Sequence, residues 1–286
     1  MHLRVDKGVS TYLGAADIRE LAETLGLRPT KTLGQNFVHD ANTVRKIVEQ
    51  AGVIAGSHVL EIGPGLGSLT LGLADHGATV TAWEIDPVLA TQLPLTLEKK
   101  GVAGKVTVVT GDALRLTDVP ENVTSLVANL PYNVSVPVLI HVLEHAPWIS
   151  RVLVMVQAEV GHRIAATPGS KVYGAPSVKL AWWGAWKVEA PVSKRVFWPE
   201  PRVDSVLVGM VAVTPPGDDA LRKRVFEIVD AGFGVRRKMA RQALAGFFGS
   251  VEAASEAISD AGLPPTDRCE QWSLEDFVAL AKVDVP

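Results

Sequence analysis

The sequence predicts an α/β fold: a parallel sheet covered by helices on both faces, followed by a smaller all-α domain. Three observations carry this. Short apolar runs alternate with helical patterns between residues 57 and 157, which is the rhythm of βαβ units. The runs are nearly continuous, as strands buried on both faces require. After the turn-rich VTPPGDD at 213–219, every remaining pattern is helical.

The elements follow in order. ADIRELAETLGL places Ile18, Leu21, Ala22 and Leu25 on one helical face, with Asp17 at its start and Gly26 at its end. Basic RPTKT leads into GQNFVHD, and a second helix spans about 41–51 with Val44, Ile47 and Val48 inward. SHVLEIG, ATVTAWEI, KVTVVTGD, TSLVANL and SRVLVMVQ read as strands. GSLTLGLADHG, residues 87–100 and PVLIHVLEHA read as the helices between them. KLAWWGAWKVEAPV and VDSVLVGMVAV read as two further strands joined by a proline-rich loop. Helices are expected over 220–231, 236–248, 251–261 and 273–282. The organisation is thus an N-terminal extension and helix over 1–32, a ligand-binding domain over 33–213 and a helical domain over 214–286.

Composition narrows the function classes. The chain is 47% hydrophobic and 21% charged, and no apolar run approaches the ~20 residues of a membrane span. The start, MHLRVDKGVS, has no apolar core of a secretory signal, so a cytoplasmic protein without membrane attachment is expected. The single cysteine, Cys269, excludes an intrachain disulfide and any multi-cysteine zinc site. It reads as an inert residue of the helical domain. His141 and His145 stand at i, i+4 on a helix, but the sequence shows no third ligand nearby, so no metal is expected. Trp182, Trp183 and Trp186 read as packing residues rather than a stacking platform.

Net charge is −3, yet its distribution is uneven. Residues 221–241 hold seven Lys/Arg against Glu227 and Asp230, and residues 252–286 hold eight Asp/Glu against Arg268 and Lys282. Such clustering can put a basic face on a mildly acidic protein. A solvated helix surface is the competing reading.

The chemistry concentrates at the strand ends. SHVLEI runs into GPGLGSLT, where Gly63, Gly65 and Gly67 let the backbone approach a ligand closely ahead of a helix N-terminus. A dinucleotide fingerprint needs a glycine at the sixth position, and Ser68 or Thr70 stands there instead. E-x-G-x-G-x-G resembles the nucleotide loop of S-adenosylmethionine-dependent methyltransferases. Glu84 ends the next strand and can accept from ribose hydroxyls, with Asp86 as competing candidate. Asp112, in GDAL, can accept from an adenine amino group. Each carboxylate taken alone could equally cap a helix, but three at successive strand ends point to one ligand site.

Asn129-Leu130-Pro131-Tyr132 closes the fourth strand. Pro131 holds Leu130 extended, so the Asn129 amide oxygen and the Leu130 carbonyl are local acceptors, and Tyr132 offers a flat face. An exocyclic amine on a heterocycle fits this supply. Such an amine is a poor nucleophile, and holding its lone pair toward an activated methyl group can supply much of the rate.

With LGQNFVHD (33–40), EIGPGLGSLT (61–70), WEID (83–86), GDAL (111–114), NLPYNVSVP (129–137), VFWPEPRVDS (196–205), RRKMARQAL (236–244) and SLEDFVAL (273–280) in this order, the chain resembles the ribosomal RNA adenine dimethyltransferases. The resemblance is greatest to the bacterial type that dimethylates two adjacent adenines near the 3′ end of 16S rRNA. It implies a Rossmann-like class I methyltransferase sheet, S-adenosyl-L-methionine as cofactor and, as partner, 16S rRNA within an immature 30S subunit, with the enzyme a monomer.

By the same resemblance, Asn36 and the Val38 backbone contact the methionine end of the cofactor. Gly63 and Gly65 line it, Glu84 holds the ribose, Asp112 the adenine amine and Asn129 the reacting region. Asn129 and Leu130 hold the target amine, which Tyr132 and Phe197 sandwich from an exposed loop. Arg236, Arg237, Lys238 and Arg241 contact RNA phosphates. The family often has lysine where this chain has Ala158, so the resemblance implies no phosphate contact at that position. The alternative is the 23S rRNA adenine methyltransferase type that confers macrolide resistance.

Overall fold

The computed structural model describes residues 11–27 and 35–283. Most of the expected N-terminal extension (1–10), the basic stretch with the first residues of LGQNFVHD (28–34) and residues 284–286 lie outside the described residues.

The strands are β1 (Phe37–Val38), β2 (His58–Ile62), β3 (Thr79–Glu84), β4 (Val106–Thr110) and β5 (Ser125–Asn129). They continue with β6 (Arg151–Gln157), β7 (Gly184–Val192), β8 (Phe197–Trp198) and β9 (Ser205–Ala212). Seven form one sheet in the order β4-β3-β2-β5-β6-β9-β7. β2 pairs in parallel with both β3 and β5, β3 with β4, and β5 with β6. The chain therefore builds outward in one direction from β2 and in the other from β5. The switch point between them is where open α/β sheets hold ligands, beyond the carboxyl ends of the strands.

Burial follows from this position. β2 and β5 are buried on both faces at nearly every residue, whereas β4 at the edge is half-exposed and β7 alternates. The helix Ser68–Asp75 is buried from Ser68 to Ala74, so its apolar composition reflects burial all round rather than one stripe. The helix Ala41–Gln50 is entered through Asp40, whose carboxylate accepts from Thr43 N at 2.7 Å and buries Val44, Ile47 and Val48 as expected.

The described chain divides into two compact units. One comprises 1–158 with 189–210, and the other 159–188 with 211–286. The second unit thus takes in a segment, 159–188, that the sequence reading assigns to the ligand-binding domain. Within it, KLAWW is the end of a helix, Ala175–Ala181, and not the start of a strand. Gly174 and Pro176 supply the start: the Gly174 N–H donates to Ser177 Oγ at 3.1 Å and proline sits in the first turn. Trp182 and Trp183 are buried edge-on against Phe226, at 6.4 and 5.7 Å between centroids, and the Trp186 indole N–H donates to the Leu180 carbonyl. The tryptophans are packing residues. Tyr173 donates its hydroxyl hydrogen to the Trp272 carbonyl at 2.8 Å, and Trp272 and Phe277 are fully buried in the same unit. Cys269 is buried there too, and burial pushes its thiol up to about 12, which keeps it unreactive.

The expected helix over 236–248 is also corrected. The helix Asp219–Gly234 ends before the basic run, residues 235–239 form a turn, and two short helices, Ala240–Ala243 and Ala245–Phe248, follow. Gly232 and Gly234 lie in the last turn, where helix propensity is lowest. Among the described residues, no helix is long and apolar enough to cross a membrane.

Candidate active site

A cavity of about 240 Å³ opens at the carboxyl ends of β2, β3, β4 and β5, at the switch point of the sheet. Asn36, Val38, Gly63, Gly65, Glu84, Asp112, Asn129 and Leu130 all line it. Segments more than 90 residues apart in sequence converge there.

The glycine loop forms its floor. Gly63, Gly65 and Gly67 all have positive φ, and Gly67 is the left-handed cap of the helix Ser68–Asp75. At Gly65 the requirement is double: φ is +60°, and an added Cβ would stand 2.9 Å from the Phe37 ring. Gly65→Ala is expected to cost about 1–3 kcal/mol of stability through strain and overpacking. Chemical denaturation of the variant against the parent measures it.

Glu84 is buried, with both carboxylate oxygens engaged by backbone. Oε2 accepts from Gly65 N and Oε1 from Asp86 N, each at 2.9 Å. Burial raises its pKa, and the two N–H contacts act the other way. The carboxylate is thus held rigidly against the cavity with acceptor capacity left over. Asp86, the competing candidate, caps the helix Pro87–Lys99 by accepting from Val88 N at 2.9 Å, and it accepts from Gln35 Nε2 at 3.2 Å. It does not line the cavity. Asp112 both caps and faces the ligand site: one oxygen accepts from Leu114 N at 2.9 Å, and the residue lines the cavity.

Asn129 has a determined amide orientation. Its Nδ2 donates to the Asn36 carbonyl at 2.9 Å, which leaves Oδ1 as the acceptor. Leu130 is buried, and its N–H donates to the Met155 carbonyl at 3.1 Å. Pro131 packs against the Gly63 backbone, 3.7 Å from where a Cβ there would be. Val38 is buried and its carbonyl accepts from the Ser68 hydroxyl.

Tyr132 is half-buried, and its hydroxyl shares a 2.6 Å hydrogen bond with Ser205 Oγ, which fixes the ring. The ring is not part of the cavity wall. Phe197 departs from expectation. It is 3% exposed and belongs to the hydrophobic core, because β8 pairs with β1 and sets Phe197 opposite Val38. The half-buried aromatic of that loop is Trp198, stacked on Phe37 at 6.4 Å with 19° between planes. Phe197 is therefore not the exposed loop aromatic that the sequence suggests.

Glu61, Ile85 and Leu114 are among the lining residues that the sequence reading does not single out. Glu61, first residue of the glycine motif, is 1% exposed, and its Oε2 has no hydrogen-bond partner. Burial, reinforced by the Glu84 carboxylate and opposed by the neighbouring Thr70 hydroxyl, pushes it up to about 8. Ile85 and Leu114, beside Glu84 and Asp112, are exposed apolar side chains at the cavity. The motif pattern pointed to Glu61; nothing in the sequence marks the other two.

The residues of the basic run differ in their contacts. Arg236 is committed to Glu270, Nε to Oε2 at 2.6 Å, and it donates to the Lys171 carbonyl. Arg222 is buried against Trp183 and Phe226 and paired with Asp219, and Arg224 donates to the Val283 carbonyl. Arg241 is half-buried beside Met239. Arg237 and Lys238 are exposed in the turn and make no ion pair among the described residues.

Comparison with known proteins agrees with this geometry. Residues 27–283 match the family described as ribosomal RNA adenine dimethylase. The chain is 60% identical over 272 residues to ribosomal RNA small subunit methyltransferase A of Leifsonia xyli subsp. xyli, covering 94% of this chain and 97% of that one. It is 51% identical to the protein of that name from Corynebacterium diphtheriae, covering 97% of each. Among solved structures, the 23S rRNA methyltransferase ErmE superposes with a TM-score of 0.64 at 26% identity, over 86% of this chain and 98% of that one. A dimethyladenosine transferase from Plasmodium falciparum superposes with a TM-score of 0.71 at 20% identity, over 85% and 95%, and shares the Rossmann-like fold. The chain belongs to the ribosomal RNA adenine dimethylase family.

Proposed function

We propose that this enzyme dimethylates N6 of two adjacent adenines near the 3′ end of 16S rRNA, with S-adenosyl-L-methionine as methyl donor, during small-subunit assembly. The observation that carries the reading is the convergence of Glu84, Asp112 and Asn129 on one cavity at the sheet's switch point. The small-subunit relatives at 60% and 51% identity favour it over the 23S type represented by ErmE at 26%.

The cavity's donor set suits the cofactor. Glu84 offers fixed acceptors for ribose hydroxyls, and Asp112 offers one for the adenine amine between the apolar Ile85 and Leu114. The orphaned Glu61 Oε2 calls for a donor or a cation, which the ammonium end of the methionine moiety carries. When bound, S-adenosylmethionine supplies a methyl group already activated on a sulfonium. The residues need then only bind and orient the nucleophile. Asn129 Oδ1, with its amide nitrogen tied to Asn36, and the Leu130 carbonyl accept from the target N6. These contacts aim the nitrogen lone pair and hold the departing proton at Asn129 Oδ1 until water removes it. Tyr132, pinned by Ser205, offers the stacking face for the extruded base.

The substrate reading includes an immature 30S subunit as the RNA's context, a monomeric enzyme and a cytoplasmic setting. Transfer of labelled methyl groups to immature 30S subunits and not to 23S rRNA is expected; labelling of 23S rRNA alone would overturn the assignment.

Arg237 and Lys238 are the phosphate contacts the structure favours, since Arg236 is already paired. Replacing both with alanine is expected to flatten the salt dependence of RNA binding by about 0.7–0.9 log unit per lost contact. A salt titration of binding checks this, and an unchanged slope would leave the pair as a solvated turn.

A further inference from the structure

The helix Ser135–His145 carries a second cluster away from the strand-end carboxylates. His141, Glu144 and His145 stand at i, i+3 and i+4, so all three share one helix face. One ring nitrogen from each histidine and one Glu144 carboxylate oxygen lie within 4.8 Å of one another. The imidazole centroids are 4.1 Å apart, with 37° between the planes.

The hydrogen bonds fix both tautomers. His141 Nε2 lies 2.8 Å from the Leu116 carbonyl oxygen, and His145 Nδ1 lies 2.9 Å from the His141 carbonyl oxygen. A carbonyl only accepts, so each of these nitrogens carries the proton. His141 Nδ1 and His145 Nε2 therefore keep their lone pairs. Ligating histidines are commonly held in this way, with the second ring N–H given to a backbone carbonyl.

We propose that His141, Glu144 and His145 bind a divalent transition-metal ion of the zinc type, with two imidazole nitrogens and one carboxylate oxygen as protein ligands. Such donors sit about 2.0–2.2 Å from zinc and about 3.3–3.5 Å from one another in a tetrahedral site. Side-chain movement of up to about 1.5 Å closes the present spacing to tetrahedral values, since all three side chains are only half-buried. A fourth position is left for water. Soft, thiolate-seeking ions are disfavoured, because the set contains no sulfur. Through His141 Nε2–H the ion would also steady Leu116, which follows the turn bearing Asp112 and Leu114.

The reading that competes is a pair of histidines serving only as helix-end hydrogen-bond donors, with no metal. Titration of the chelator-stripped full chain with zinc chloride separates them. One equivalent is expected to bind, with affinity falling at least about tenfold in His145→Ala and less in Glu144→Gln. A parallel melting curve checks that His145→Ala remains folded. Copper(II) loaded on the unmodified chain provides a readout without any variant: its electron paramagnetic resonance spectrum should show coupling to two imidazole nitrogens. Absence of stoichiometric zinc binding, unchanged affinity in His145→Ala, or a copper spectrum without nitrogen coupling would each overturn the site.

Discussion

Asn129→Ala is expected to reduce methyl transfer by about 10²–10³-fold while leaving RNA binding within a few-fold of the parent. The magnitude is that of removing one aimed hydrogen-bond partner from a site that works by positioning. Two consequences combine. The target amine loses the Oδ1 acceptor, and the Asn36 carbonyl loses its 2.9 Å donor, which loosens the segment leading into β1. Asn129→Asp disrupts the Asn36 contact alone. It keeps an oxygen toward the cavity but sets a second oxygen against the Asn36 carbonyl, so it should also be severely impaired. Single-turnover transfer of labelled methyl groups, with filter binding of the RNA measured in parallel, checks both. Wild-type turnover in Asn129→Ala would remove the positioning account.

The second large effect concerns Glu61. In the folded chain this carboxyl titrates at about 8, against an ordinary value of 4.5. Between those values the folded state holds one proton more than the unfolded chain, so stability falls as pH rises. The slope is about 1.4 kcal/mol per pH unit, for a few kcal/mol in all. The contribution is fully present below pH 4.5 and is lost as pH passes about 8. Glu61→Gln cannot ionise. Its unliganded form should match the parent near pH 5 and exceed it in stability near pH 8. Thermal melts across that range decide the matter, and parallel curves for the two proteins would contradict the assignment. The same variant should bind the cofactor more weakly, because the amide, unlike the carboxyl, cannot ionise against the ammonium end.

Much of this architecture could be read from the sequence where local chemistry and long-range structure agree. The strand–glycine–helix passage around Gly63, Gly65 and Gly67 is legible because only a tight, ligand-facing turn needs three glycines there. Four buried strands, β2, β3, β5 and β6, are legible because burial on both faces leaves continuous apolar runs. The departures have different causes. Phe197 looked like an exposed loop aromatic, but a two-residue strand partner 160 residues away, at Phe37–Val38, draws it into the core. LAWW looked like a strand from its tryptophans, although Gly174 and Pro176 had already started a helix. Asp86 competes with Glu84 in the sequence, and the difference in the fold is that Asp86 caps the next helix and does not line the cavity. Arg236 and Arg237 are neighbours in sequence, yet only Arg236 meets Glu270. At His141 and His145 the sequence shows no third ligand, whereas the helix face brings Glu144 within 4.8 Å of both.

On the proposed function, the cavity at the end of β5 is where paired adenines of the small-subunit RNA are dimethylated. The most direct test is mass spectrometry of 16S rRNA fragments from immature 30S subunits incubated with the enzyme and S-adenosylmethionine. Two adjacent N6,N6-dimethyladenosines near the 3′ end are predicted. Unmodified 16S RNA, or dimethyladenosine found only in 23S rRNA supplied to the same reaction, would contradict the account.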